Sequence, residues 1–444
     1  APKALNGAVY AIQPLPDGRV WVGGSFAGVA GGMRTYSHLA RLNADGSLDT
    51  SFDPSLAGGS PSGDVNALAL QSTGKLLVGG SFAGFTETTN PGYLVRLNAD
   101  GTRDSGFSAG IFVPSLGGIM TIVVDSQQRI MIGGVFTRVG GAVRYCLARL
   151  NPDGVVDPLF VLNPGANSVV YQVAVAPDGS VTAVGAFTTV NGLSASGVAR
   201  IASNGSLETT FLANAGAGFD APAYSVLRQP DGKVIVGGRF TKYGAATSSG
   251  VVRINTDGTR DESFAVVPDN TVAAVARHGD GRIVLGGYFT GIGSELRIRL
   301  ARVSAAGVLE STLNPIPMMP GRVNALLLLP GGKVLVGGYF HALAGRLGSP
   351  HVARLNADLS YDPTFNPGGS GFNGEVKRLA AMSDGRVWVA GDFTAHGGVA
   401  RRYLARLQGN GALDSTFDAG SSASASSGRP AHWCATASIA LLIS

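Results

Sequence analysis

The chain repeats itself, and that constrains its fold more than any other feature. A Gly-Gly-x-Phe motif ends at Phe26, Phe82, Phe136, Phe187, Phe240, Phe289, Phe340 and Phe393, at intervals of 49–56 residues. Two copies are worn, Val184-Gly185-Ala186-Phe187 and Ala390-Gly391-Asp392-Phe393. A second landmark keeps step with the first: the Arg of a Leu-Ala-Arg-Leu-like segment, at Arg41, Arg96, Arg149, Arg200, Arg253, Arg302, Arg354 and Arg406. Length alone would divide 444 residues into about three domains at ~150 residues each. Repeats that share one closed core count instead as a single unit.

Within a copy, an apolar run such as Val65–Leu70 (strand A) ends in a tight turn, as at Asp17-Gly18, Asp178-Gly179, Asp231-Gly232 and Asp384-Gly385. Asp-Gly between apolar runs signals a hairpin, because both residues tolerate the positive φ that such turns need. Strand B (Lys75–Val78) closes on the Gly-Gly-x-Phe. After a longer loop comes strand C (Tyr93–Asn98), then a second tight turn, as at Asp45-Gly46, Asp100-Gly101, Asp153-Gly154 and Asp257-Gly258. Strand D ends on Phe52, Phe107, Phe160, Phe211, Phe264, Phe365 and Phe417, with Leu313 in the sixth copy. Four antiparallel strands per repeat, without helical periodicity, predict an all-β, eight-bladed β-propeller of four-stranded blades. The blades fall at about 6–63, 64–117, 118–167, 168–220, 221–269, 270–321, 322–374 and 375–418.

This pattern, strand–Asp-Gly-Lys–Val-x-Val-Gly-Gly-x-Phe followed by Leu-Ala-Arg-Leu-Asn-x-Asp-Gly-Ser-Leu-Asp-x-x-Phe, resembles the delta-60 repeat of bacterial, often exported, proteins. The resemblance spans roughly residues 9–418. It implies the propeller fold and says almost nothing about activity.

A residue present in every blade suits architecture better than chemistry, since a site needs asymmetry. Each strand-C Arg has an acid eight residues on: Arg41–Asp49, Arg96–Asp104, Arg149–Asp157, Arg200–Glu208, Arg253–Asp261, Arg302–Glu310, Arg354–Asp362 and Arg406–Asp414. The C–D turn sets the two opposite each other, which predicts a half-buried cross-strand pair worth about 1 kcal/mol. Asn43-x-Asp45-Gly46-x-x-Asp49 is also a partial calcium loop, but it lacks the distal bidentate Glu, and a turn explains it already.

Antiparallel connectivity puts the short A–B and C–D turns on one face and the long B–C and D–A loops on the other. Variable loops on a rigid scaffold carry function, so any site is expected on the long-loop face. With strand A innermost, its first residues would ring the channel mouth there: Asn6; Asp64 and Asn66; Asn167; Asp220; Asp269 and Asn270; Asn324; Glu375. Only the third copy, Gly117–Met120, offers neither acid nor amide. Such oxygen donors suit Ca2+. In architecture the ring resembles the axial calcium sites of paraoxonase- and gluconolactonase-like propellers, which implies Ca2+-assisted hydrolysis of lactones or esters. Ordinary wetting of a polar channel mouth explains the same residues, and sequence leaves both readings open.

The B–C loops add candidate ligand contacts at Arg34, Tyr36, Arg144, Tyr145, Arg299, Arg402 and Tyr403, alongside Lys242, Tyr243, Arg297, Arg346, His351 and Arg401. Arg and Tyr favour recognition surfaces. His341 and His396 are the candidate general bases, because imidazole titrates near neutrality. No Gly-x-Ser-x-Gly elbow, His-Glu-x-x-His or phosphate loop occurs, so serine-hydrolase, zincin and nucleotide chemistry lack support.

Charged residues make up only 14% of the chain, the net charge is +5, and the basic residues are scattered along the repeats, one to six in each, rather than run together. Nucleic acid is therefore not an expected partner, and no apolar run reaches the ~18 residues of a membrane span. Cys146 and Cys434 form neither a disulfide framework nor a metal pattern. Residues 419–444 read as a Ser/Ala/Gly-rich linker and an atypical tail. The opening Ala1-Pro2-Lys3 fits a mature exported chain or a trimmed one. The expectation is a monomer in a secreted, periplasmic or cell-surface setting that binds a small polar ligand, a glycan or a protein. Ca2+-assisted lactone hydrolysis is the alternative.

Overall fold

Asp-Gly turns close the hairpins as expected. At the first, the loop has three residues, 16–18, rather than two: the Leu15 amide donates to Arg19 O at 2.9 Å and the Gly18 amide to Leu15 O at 3.1 Å. Gly18 alone takes positive φ, +84°, and the Asp17 carboxylate accepts the Arg19 amide at 3.0 Å, an Asx-type bond that fixes the turn. The computed structural model describes residues 5–27, 29–31, 34–52, 59–83, 92–114, 117–310, 321–341, 350–366 and 371–419, with backbone alone at 29–31 and 34–35. Leu313, Arg346, Cys434 and the tail beyond Ala419 lie outside these residues.

Every blade holds an antiparallel A-B-C ladder, in blade one Val9–Pro14, Val20–Gly24 and Leu39–Leu42. The fourth strand is the shortest, one bridge against strand C in each blade, from Leu42 opposite Leu48 to Leu407 opposite Leu413. Blade four follows it with a single helical segment, Thr209–Ala215, which keeps Phe211 buried at the repeat's aromatic position. Strand B reads as a continuous apolar run, as in Val20–Gly24 and Val387–Gly391, and is buried throughout. A strand covered on both faces has this signature, and here the covers are the neighbouring blades.

Each strand A touches strand A of the next blade, and Val376–Ala381 of blade eight touches Val9–Pro14 of blade one, so eight inner strands surround an axis. The strand-C arginines fasten the blades. Arg41 Nε donates to Asp49 at 2.7 Å within its own hairpin, while Nη1 reaches the Ala99 carbonyl of the next blade's C–D turn at 2.8 Å. Equivalent bonds join Arg96 to Pro152, Arg149 to Ser203, Arg200 to Thr256, Arg253 to Ala305, Arg302 to Ala357 and Arg354 to Gly409. The last of the series, Arg406 to Ala44, closes the ring. Asp418 N adds a bond to Asp45 O at 2.8 Å, so among the described residues closure uses the ordinary blade–blade contact and exchanges no strand.

Most of these pairs are deeper than the half-buried contact expected from sequence, Arg200–Glu208 excepted. Arg41 and Arg406 are 1% exposed, and six of the eight guanidiniums stack on their blade's aromatic residues, Arg149 lying 4.5 Å from the Phe160 ring. That Phe in turn packs on the following blade's turn glycine. A Cβ on Gly154 would stand 2.6 Å from Phe107, and Gly154 also holds φ +92°. Blade seven reverses the arrangement. Leu359 occupies the turn position at φ +59°, 1% exposed, after the one copy whose D strand ends in Leu313 instead of Phe. The larger turn residue stands where the preceding aromatic is missing.

Candidate functional site

Strand A leaves the regular ladder at the same place in every blade. In blade one Val9 opposes Gly24 and Ala11 opposes Gly23, so Tyr10 has no partner across the ladder. The extra residue in the other blades is Asn66, Met120, Tyr171, Tyr224, Ala273, Asn324 and Lys377. The second glycine of the motif makes room for this bulge. A Cβ on Gly24 would fall on the Ala8 carbonyl, which also accepts the Ser25 amide at 2.9 Å. The same close approach recurs at Gly80, Gly134, Gly185, Gly238, Gly287, Gly338 and Gly391. Both worn motifs thus lose their first glycine and keep the one the bulge requires. Bulges re-aim side chains, and these set one residue per blade at the axial mouth on the long-loop face.

The eight residues divide the mouth into two arcs. On one, the Tyr171 and Tyr224 rings lie 5.6 Å apart at 56°, flanked in blade order by Met120 and Ala273. On the other stand Asn324, Lys377, Tyr10 and Asn66, each partly buried, among charged neighbours. Arg322 grips Glu375 with two bonds of 2.6 and 2.5 Å, and Asn324 Nδ2 donates to the same carboxylate at 2.7 Å. Lys377 Nζ meets Asp392 at 2.6 Å. His38 Nδ1 lies 3.6 Å from Asp64 Oδ1, and burial, only partly offset by His38, raises the Asp64 carboxyl above its ordinary range. Burial likewise raises the Tyr10 phenol. Aromatic faces on one side and fixed amides and charges on the other can hold a ligand that has both a stacking face and polar edges.

The family model described as "Domain of unknown function (DUF5122) beta-propeller" matches eight times, at residues 15–52, 71–107, 129–160, 176–211, 229–264, 278–313, 329–365 and 383–417. The chain is a DUF5122 β-propeller.

No curated protein sequence matches this DUF5122 propeller. Among solved structures it is similar to the extracellular domain of a proposed one-component system from B. thetaiotaomicron, at 13% identity and TM-score 0.34, covering 90% of this chain and 46% of that one. It is also similar to YCF48 bound to D1 peptide (12%, TM-score 0.39, 77% and 94%) and to puromycin hydrolase (15%, TM-score 0.44, 88% and 59%). The propeller spans about half the length of the first two B. thetaiotaomicron chains it matches.

In the DUF5122 propeller the acid and amide ring expected from sequence splits into two registers. Asn6, Asn167, Asp220 and Asp269 stand three residues before the first paired residue of strand A. Their side chains accept the amide that follows the motif Phe: Ala27 at 2.8 Å, Thr188 at 2.9 Å, Thr241 at 2.7 Å and Thr290 at 2.7 Å. Asn373 and Ser62 do the same in blades eight and two. This register clamps the D–A loop to the B–C loop. Burial opposes ionisation of Asp220 and Asp269, yet the threonine bonds outweigh it and hold both carboxyls below their usual range. Asn270 accepts the Thr271 amide at 2.7 Å. Only Asp64, Asn66, Asn324 and Glu375 belong to the inner register, and Glu375 is taken up by Arg322. Among the described residues no group of three or more His, Cys, Asp or Glu is arranged to hold a metal ion.

The B–C connections are less loop-like than their sequence suggests. Among the described residues six of them carry a short two-stranded ribbon, for example Thr189–Val190 against Leu193–Ser194. The residue three after the motif Phe points inward there: Val139, Val190, Tyr243, Ile292 and His396 are all buried. His396 is therefore a core position, 3% exposed, edge-on to Phe372 at 4.7 Å. Burial, with Arg401 adding to it, depresses its imidazole to about 4. His341 is exposed and packs on Tyr339 and His351, whereas His396 packs on Phe372. Tyr36 is also core, fully buried with its hydroxyl donating to Phe52 O at 2.9 Å. The Arg34 side chain lies outside the described residues. Arg144 Nη1 donates to its neighbour's carbonyl at 2.8 Å, and Tyr145 is 38% exposed. Arg299 and Tyr403 take positive φ, +69° and +63°, and Arg402 is partly buried. Sequence reading missed Tyr10, Met120, Tyr171, Tyr224 and Lys377 at the mouth; the invariant second glycine was the signal for them.

Proposed function

We propose that this chain is an exported binding propeller, with repeats of the delta-60 type that their motif resembles, and that it holds a polar ligand at the axial mouth of the long-loop face. A glycan or other polyol fits best. One observation supports this above the rest: the bulge presents one side chain per blade at the mouth, and these side chains differ from blade to blade, whereas the clamps and arginine staples repeat. The Tyr171–Tyr224 arc offers aromatic faces to a sugar ring. Asn66 and Asn324 and the surrounding charges offer hydrogen bonds to hydroxyls. The strand scaffold holds these groups in place, which lowers the ordering cost of binding.

Calorimetry against a panel of neutral and acidic oligosaccharides tests the reading. Tyr171→Ala with Tyr224→Ala should weaken the best ligand at least tenfold, because base- or sugar-scale aromatic stacking contributes on the order of 1–2 kcal/mol. Thermal stability should stay unchanged. A ligand whose affinity ignores both substitutions would place binding elsewhere.

A further inference from the structure

The ribbon of blade three differs from its counterparts in one respect. In blades four, five, six and eight, the D–A loop bridges to the inward-facing ribbon residue, pairing Ala166 with Val190, Phe219 with Tyr243, Pro268 with Ile292 and Phe372 with His396. All four D–A residues are buried. In blade three the bridge is one residue earlier, Phe112 opposite Arg138. A one-residue slip turns a strand's side chains to the other face, and Phe112 is accordingly 56% exposed. Arg138 also pairs with Val143, and Tyr145 follows two residues on. Directly opposed residues, and those two apart on one strand, share a face. Phe112, Arg138 and Val143 are thus directed to one outward face, and the exposed Tyr145 lies just beyond the ribbon.

Its charge is one-sided. Residues 107–114, 117–118, 137–146 and 160–169, which build this end of blade three among the described residues, contain no Asp or Glu. Among the described residues the Arg138 side chain bonds the Gly141 carbonyl of its own ribbon, from Nη1 at 3.1 Å, and faces no carboxylate. Most arginines of the chain, by contrast, face a carboxylate. A guanidinium without an acid suits a carboxylate in two-bond geometry. Phe112 and Val143 carry no polar atom beyond the backbone, so they favour an apolar side chain over a sugar hydroxyl.

We propose that this face of blade three docks an acidic peptide segment of a partner protein, with a carboxylate on Arg138 and an adjoining apolar side chain on Phe112. The surface is separate from the axial mouth and does not rest on the reading of the mouth.

The test uses the full chain and three labelled ten-residue peptides of equal apolar content, bearing four Glu, four Gln or four Lys, read by fluorescence anisotropy. The Glu peptide should bind at least tenfold more tightly than the others, and less tightly as salt rises. Arg138→Glu and Phe112→Ser should each weaken it at least tenfold. Phe112→Ser should leave the melting temperature unchanged, and Tyr171→Ala with Tyr224→Ala should leave peptide binding unchanged. Equal binding of all three peptides, no binding of any, or indifference to both blade-three substitutions would overturn the proposal. Tighter binding of polygalacturonate than of the Glu peptide would overturn it in favour of an anionic glycan. Self-association of the wild-type chain that Phe112→Ser abolishes would overturn it in favour of a second copy.

Discussion

Replacing Arg406 with Met removes the guanidinium that closes the ring and retains most of the apolar stem. It strands Asp414, which is 2% exposed and bonded to Arg406 Nε at 2.6 Å. It also removes the bonds to Ala44 O and, at 3.1 Å, to Thr416 Oγ1. Breaking a buried ion pair from one side costs about 3–5 kcal/mol. Arg386 Nη1 still faces Asp414 at 3.2 Å, so the lower end applies. With an unfolding entropy of about 2.1 cal/mol/K per residue, about 3 kcal/mol lowers the melting temperature of a chain this long by roughly 3 °C. Arg200→Met is the control. Its pair with Glu208 is longer, 3.2 Å, with side chains 19% and 31% exposed, and exposed pairs contribute about 0–1 kcal/mol. Calorimetric melting of both variants, together with Arg406→Met/Asp414→Leu, decides the matter. Arg406→Met should lose stability, Arg200→Met almost none, and the double variant should recover most of the loss, because an apolar pair of similar volume replaces a buried ion pair at little cost. Equal losses at Arg406 and Arg200, or a double variant no better than the single, would refute the reasoning.

Three further outcomes are expected. His396→Val should stabilise the chain at acid pH: the folded imidazole sits at about 4 against roughly 6.5 unfolded. The unfolded state therefore binds the extra proton, and stability is lost as pH falls from about 6.5 toward 4, by up to about 3 kcal/mol. Denaturant melts at pH 7 and pH 4.5 should show this slope in the wild type and a shallower one in the variant. Leu359→Gly should destabilise by about 1–2 kcal/mol, since lost burial of about 2–3 kcal/mol exceeds the relief of a positive φ worth about 1 kcal/mol; a rise in melting temperature would contradict the interlock with blade six. A calcium chelator should leave the melting temperature within 1 °C, on the order of 1 kcal/mol or less, because Asp220, Asp269 and Glu375 are already engaged; a larger fall would restore the calcium ring.

The architecture was legible because its signals repeat. Asp-Gly turns, the motif Phe and the Arg–acid spacing each recur, and every copy confirms the others. What was not legible is tied to register. Alternation along strand A is broken by one bulged residue, so aligning on the first polar group merged Asn6 and Asp220 with Asp64 and Glu375, although they stand on different levels. Gly185 and Gly391 carried the missing information, since worn motifs lose the first glycine and never the second. His396 and Tyr36 looked like loop residues because the ribbons were read as loops. The run Val139, Val190, Tyr243, Ile292 already marked position 396 as apolar. The slip that exposes Phe112 has no sequence signature, because it depends on how a D–A loop meets its ribbon.

The most direct test of the account is a crystal structure of the full chain with its best-binding oligosaccharide. The ligand should lie at the axial mouth, stacked on Tyr171 or Tyr224 and hydrogen-bonded on the side of Asn66, Asn324 and Lys377. Ligand found only on the outer ribbons or on the short-turn face, with the mouth open to water, would contradict it.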